Sequence, residues 1–165
     1  MPNPRPAWFT TADCTIGDFA AIVEEPVRVE DYPNADSVMD GVVIYDSAKV
    51  RVALEESGDR RILLSEFASV LDSGPGVLLL AGAYEEPVID AATAVFRSII
   101  EQEKAAGIAA GDHFAAAGVN DRVWNALEKL AIADPQVFVD YYSNDMLALA
   151  CESWLGPRYQ VTSQL

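Results

Sequence analysis

Gly111 to Leu165, GDHFAAAGVNDRVWNALEKLAIADPQVFVDYYSNDMLALACESWLGPRYQVTSQL, carries the only histidine, two of the three tryptophans and the clearest helix and strand punctuation in the chain. Val123, Ala126, Leu127, Leu130 and Ala131 recur at three- and four-residue spacing, which places them on one helix face. Asn120 or Asp121 suits the N-cap, where a short side-chain oxygen accepts a free first-turn N–H. Asp134-Pro135 reads as a fresh cap with proline at the first helical position, where its missing N–H costs nothing. Val137, Phe138, Tyr141 and Tyr142 continue that helix. In a third helix, Leu147, Ala150, Cys151, Trp154 and Leu155 form a stripe that Gly156-Pro157 ends. Arg158 to Gln164 then alternates as a strand does, with Tyr159, Val161 and Ser163 on one face and Gln160, Thr162 and Gln164 on the other.

This stretch resembles the phytanoyl-CoA dioxygenase family of iron(II)- and 2-oxoglutarate-dependent oxygenases. The residues that carry the resemblance are Gly111-Asp112-His113-Phe114, Asn120 to Leu130, Tyr141-Tyr142-Ser143-Asn144 and Trp154 to Gln164. It extends over roughly Asp40 to the end of the sequence. The resemblance implies an α+β fold: the helix-rich N-terminal part of a double-stranded β-helix (jelly-roll, cupin-like) oxygenase, with a few short strands and an incomplete barrel. It also implies Fe(II) and 2-oxoglutarate as cofactors of the complete enzyme, and C–H hydroxylation of a small-molecule substrate as its reaction. The family holds iron with a His-x-Asp pair and a distant second histidine, a facial triad with open positions. Here His113 is the sole histidine and is followed by Phe114 and Ala115. One histidine cannot supply two, so the chain alone is expected to hold no iron and to be inactive.

Upstream, Asp72-Ser73-Gly74-Pro75-Gly76 breaks the chain ahead of Val77 to Leu80, which reads as a buried strand. The pair Gly74-x-Gly76 is no dinucleotide fingerprint: the third glycine is missing, and the glycines precede the strand instead of following it. Glu85-Glu86-Pro87 opens the longest helix, to about Ala106. Ile89, Ala92, Phe96, Ile99 and Ile100 are its expected buried side, and its early acids complement the helix dipole. Gly41 to Tyr45 reads as a short strand. Ser47 is the expected cap of a helix to Ser57, Gly58-Asp59 a turn, and Ser65 the cap of a helix that turns Phe67, Val70 and Leu71 inward. Five of the nine prolines fall by Pro33, so residues 1–39 read as an irregular, proline- and acid-rich arm ahead of a 40–165 segment.

A chain of 165 residues, 51% apolar and 22% charged, is long enough for one domain with a real core. Its net charge of −15 is spread along its length and repels nucleic acid and anionic membranes. The longest aliphatic run, Val77 to Ala81, is far too short for a bilayer, and Met1 to Pro6 lacks the apolar core of a secretory signal. The expected location is the cytoplasm. Cys14 and Cys151 lie far apart, and Cys151 sits on an apolar face, so free thiols are expected.

Four residues are candidates for facing a cosubstrate or substrate. On generic grounds Gln160, Thr162 and Gln164 are the solvent face of a strand. The resemblance implies instead that this strand opens the barrel, with Gln164 first among those facing in. His113 reads either as a loop or capping histidine or, through the resemblance, as one at the barrel mouth. Asn120, Arg122 and Trp124 would border that pocket, although Trp124 also fits a core position. A second functional class stays open, a stand-alone non-catalytic helical interaction module. Unpaired backbone groups on the terminal strand are expected to promote self-association.

Overall fold

A computed structural model describes residues 8–57, 60–107 and 121–161. Among these residues the elements run α1 (Ile16–Val23), β1 (Ser37–Met39), β2 (Val42–Asp46), α2 (Ser47–Ser57), α3 (Arg60–Asp72), β3 (Leu78–Ala81), α4 (Glu86–Ala105), α5 (Ala126–Ala133), α6 (Pro135–Tyr142) and α7 (Asp145–Leu155). The fold is mixed α/β and helix-rich, with one small open sheet in the order β1-β2-β3.

The sheet begins with a hairpin. Asp40 (φ 51°) and Gly41 (φ 80°) both occupy the left-handed region, which is what a two-residue turn with the right twist needs, and Met39 pairs with Val42 across it. The β2 and β3 strands are parallel, with Val43 opposite Leu78 and Asp46 opposite Ala81, so the chain must cross over between them; α2 and α3 are that crossover. The register gives the sheet two distinct faces. Val38, Val43, Tyr45, Leu78 and Leu80 point inward, against Leu63, Phe67 and Val70 of α3 and Met146 and Leu149 of α7. Tyr45 and Phe67 lie ring to ring at 4.6 Å, tilted by 57°. The outer face carries Met39, Val42, Ile44, Leu79 and Ala81. Met39 is 62% exposed and Leu79 45%.

Several sequence expectations need correction. Residues 8–39 are not irregular throughout: they contain α1, β1 and two 3-10 turns, and Tyr32 is buried in the core. The expected boundary between residues 39 and 40 splits a hairpin, because Asp40-Gly41 joins β1 to β2 instead of separating an arm from a domain. Ser65 does not cap α3, which begins at Arg60. Leu63, Phe67 and Val70 form one i, i+4, i+7 stripe whose first member already precedes Ser65. Asp46, not Ser47, caps α2: its Oδ1 accepts from the Ala48 N–H at 2.9 Å, while Ser47 is fully buried with its Oγ unpartnered. Strand β3 is not buried on both sides, since it lies at the sheet edge and alternates half-buried with exposed. Ile89 shares the face of Ala92 and Ile99, the buried residues of α4, but in the first turn of the helix it stays 38% exposed.

The C-terminal helices follow their punctuation more closely. Asp134 Oδ1 accepts from the N–H groups of Gln136 (3.1 Å) and Val137 (3.0 Å), as the Asp-Pro signal implies. Helix α5 begins only at Ala126, because Asn125 is left-handed (φ 54°) and a helix cannot run through it; Val123 therefore lies outside the helix. In α7 the buried residues are Met146 and Leu149, whereas Leu147, Trp154 and Leu155 are exposed. The helix is turned about 100° from the expected stripe, since one residue advances it by that angle. Gly156 (φ 86°) closes α7, its N–H bonded to Glu152 O at 2.8 Å. No helix among the described residues is long and apolar enough to cross a membrane.

Candidate functional site

Of the four residues expected to face a substrate, His113, Thr162 and Gln164 lie outside the described residues, as do Asn120 and the Gly58-Asp59 turn. Gln160 is exposed, and Tyr159 to Val161 form no strand. The segment that follows the turn at Gly156-Pro157 joins no ladder among the described residues. Trp124 is 55% exposed and not core, with the Arg122 guanidinium carbon 5.4 Å from its ring centroid. That cation–π contact accounts for a tryptophan left at the surface.

The densest polar constellation among the described residues sits at the carboxyl ends of the parallel strands, where open α/β sheets place their ligands. Arg51, on α2, reaches over the end of β3. Its Nε donates to Asp145 Oδ2 and its Nη2 to Asp145 Oδ1, both at 2.9 Å, in a bidentate pair. Nη2 also donates to the Ala83 carbonyl at 3.1 Å, and Nη1 to that of Gly82 at 3.5 Å. Asn144 completes the joint: Nδ2 donates to Ala83 O at 2.7 Å, and Oδ1 caps α7 by accepting from the Leu147 N–H at 2.9 Å. Hydrogen bonding to Arg51 holds the Asp145 carboxyl below its ordinary range, and the same bond raises the guanidinium. An arginine whose donors are spent on a carboxylate and two carbonyls is a clip between α2, the β3–α4 turn and α7. It offers little to an incoming anion.

Beside the clip lies a run of aromatic rings. Tyr84 stacks on Tyr141 at 5.2 Å, Phe96 meets Tyr141 edge-on at 6.4 Å, and Tyr142 lies 5.1 Å from both Tyr141 and Phe138. Burial raises the Tyr84 and Tyr142 phenols, so both stay protonated at neutral pH and can donate hydrogen bonds but not act as bases. This run joins the β3–α4 turn to α4 and α6. Under the sheet, Glu66 accepts from the Asn34 N–H (3.1 Å) and Nδ2 (2.6 Å) and from Tyr45 Oη (3.0 Å). Burial, with the neighbouring Glu66, raises the Tyr45 phenol strongly. Glu66 is saturated by neighbours that hold the chain at Asn34 against α3, which is a structural role.

The donor set does not fit the iron site that the resemblance implies. A facial triad takes two histidines and a carboxylate, and the chain has one histidine. Among the described residues no three of His, Cys, Asp and Glu come together. No protein-family model, curated protein or solved structure matches the chain. Sequence reasoning missed the Arg51–Asp145 clip, and no local signal could have found it: the two residues stand 94 positions apart and belong to different helices. It missed the hairpin too, although Asp40-Gly41 between apolar runs is the strongest short-range signal for one.

Proposed function

We propose that the chain is the helical flank of a phytanoyl-CoA-dioxygenase-like oxygenase. It supplies the helices and first strands against which a double-stranded β-helix builds, and the iron ligands come from outside it. One observation carries this reading beyond the resemblance: among the described residues helices back one face of the sheet, while the other, largely apolar face leaves Met39 and Leu79 exposed and Val42 and Ile44 half-buried. Parallel strand pairs ordinarily have both faces covered. Met39, Val42, Ile44 and Leu79 therefore suit a second sheet packed at about 10 Å, as a jelly roll provides. Fe(II) and 2-oxoglutarate would serve the complete enzyme, coupling 2-oxoglutarate decarboxylation to hydroxylation of a C–H bond in a small molecule. The clip and the aromatic run would hold the flank rigid behind that barrel.

The alternative is a stand-alone, non-catalytic interaction module, favoured by the donor set and by the apolar side chains Trp154 and Leu155 on the surface. The intact mass of the protein from its native source separates the two. A mass well above 17.8 kDa, with Fe(II)-dependent consumption of 2-oxoglutarate by the longer protein and none by this chain, is the expected result. Turnover by the 165-residue chain alone, or a longer protein with no such turnover, overturns the oxygenase reading.

A further inference from the structure

Two hydrophobic cores share the chain, and one interrupts the other in sequence. The core under the sheet takes its buried side chains from Tyr32 to Val70 and then from Met146 and Leu149 of α7; among the described residues none between Tyr84 and Asp145 belongs to it. The buried residues of that intervening stretch are Ala92 and Ile99 of α4 and Leu130 of α5. Each of α4, α5 and α6 packs on the other two, whereas α7 packs on α3. Lys129 of α5 pairs with Glu103 of α4 inside the three-helix unit. Among the described residues the unit makes only glancing contact with the sheet, α2, α3 and α7. The chain enters and leaves it at one place: Asn144 Nδ2 donates to Ala83 O at 2.7 Å, and Arg51 bridges Ala83 O to the Asp145 carboxylate. Entry and exit points that close together are what an inserted unit has. All members of the Arg51 clip lie on the sheet side of this joint, so the clip fixes the base and not the unit. Tyr84 is the wedge across it. Its ring stacks on Tyr141 of α6 at 5.2 Å, and burial, followed by the neighbouring Tyr141, Tyr142 and Cys151, raises its phenol.

We propose that α4, α5 and α6 are an inserted cooperative unit that opens as a whole, about a double hinge at Tyr84-Glu85 and Ser143, while the sheet, α3 and α7 stay folded. Regions open locally at a free energy set by the buried contacts they must break, and the small core of Ala92, Ile99 and Leu130 is the lesser of the two. Residues that share a core feel each other's truncation, and residues in separate cores do not. In the closed state the Tyr84–Tyr141 stack seats the unit on its base. Opening uncovers the Tyr84, Tyr141 and Tyr142 rings beside the carboxyl end of β3 without unfolding the strand itself. The inference uses only packing within this chain, and it does not depend on the oxygenase reading.

Native-state hydrogen exchange of the full chain, read by mass spectrometry at increasing urea, tests it. The expected result is that the amides of α4, α5 and α6 exchange through one opening, of lower free energy and smaller urea dependence than the opening that releases β2, α3 and α7. Leu130→Ala lowers protection in the three-helix unit by about 30-fold or more, and the milder Ile99→Val by about 2- to 10-fold. Truncation in the sheet core gives the discriminating result. Val70→Ala lowers protection in β2, α3 and α7 by about tenfold or more, and leaves that of α4, α5 and α6 within about twofold. Tyr45→Phe, which removes one hydrogen bond to Glu66 and no packing, shows the same selectivity at about 2- to 10-fold and serves where the larger truncation costs the whole fold. Equal loss in both sets of amides after Val70→Ala or Tyr45→Phe overturns the proposal, because one cooperative core would then span the chain. So does unchanged protection of the unit in both Leu130→Ala and Ile99→Val, or a wild-type unit that exchanges with the same free energy and urea dependence as the sheet.

Discussion

Leu149→Ala and Leu147→Ala, two positions apart on α7, report which side of that helix is buried. Leu149 has no exposed surface and packs in the core beside Phe67 and Val70; Leu147 is 40% exposed. Truncating a fully buried leucine removes its transfer free energy and leaves a cavity, together about 2–5 kcal/mol. Leu147 loses only part of the transfer term, about 1 kcal/mol or less, and alanine is itself a good helix former. With a urea m-value of about 2 kcal/mol/M, a 3 kcal/mol loss moves the midpoint down by about 1.5 M and a 1 kcal/mol loss by about 0.5 M. Circular dichroism at increasing urea reads both variants against wild type. Equal shifts, or a larger shift for Leu147→Ala, would refute the reasoning, because α7 would then bury the stripe that runs through Leu147, Trp154 and Leu155.

Three further outcomes follow from other parts of the fold. A Cβ at Gly74 would stand 2.6 Å from Tyr32 Oη and 3.0 Å from the Val70 Cα and carbonyl oxygen, so Gly74→Ala should cost roughly 1–3 kcal/mol in a thermal melt; an unchanged melting temperature would contradict that packing. Asp134→Ala removes the acceptor for two first-turn N–H groups of α6 and should cost about 1 kcal/mol, while Asp134→Asn should restore most of it. The folded-state pKa of Tyr45 is raised, so its contribution is fully present below the ordinary phenol pKa of about 10 and is lost as pH rises beyond it. Melts between pH 8 and 11 should show a steeper alkaline loss for wild type than for Tyr45→Phe, and parallel curves would count against this account.

The sequence was most legible where one residue type has one use. Asp134-Pro135 and Glu86-Pro87 mark helix starts, and Asp72 to Gly76 marks a break, because proline and glycine leave the backbone few alternatives. Helix α7 was misread for a physical reason. Met146, Leu149, Ala150 and Ser153 make one stripe, Leu147, Ala150, Cys151, Trp154 and Leu155 another, and periodicity cannot choose between two apolar faces on one helix. What decides is the partner, α3, whose own face is set by Leu63, Phe67 and Val70. The aliphatic run Val77 to Leu80 signals a strand with both sides covered, yet only Leu78 and Leu80 meet the core. The sequence pattern and the open face disagree there, and that disagreement is what the proposed barrel would remove. The candidate site was the least legible part. Gln160 proved exposed, and the polar constellation at the strand ends is assembled from three segments that no window of sequence contains together.

Met146 and Leu149 fill the same core as Val43, Tyr45 and Phe67, roughly a hundred positions earlier in the chain. During synthesis, then, the hairpin, the crossover helices and β3 all leave the ribosome before the side chains that seal them exist. The nascent sheet and α3 wait with the α7 side of their shared core wet, at about 5–20 residues per second, for several seconds. The chain's first hundred residues are thus the portion for which a holding chaperone has the most to cover, and the Arg51–Asp145 clip can close only after α7 has emerged.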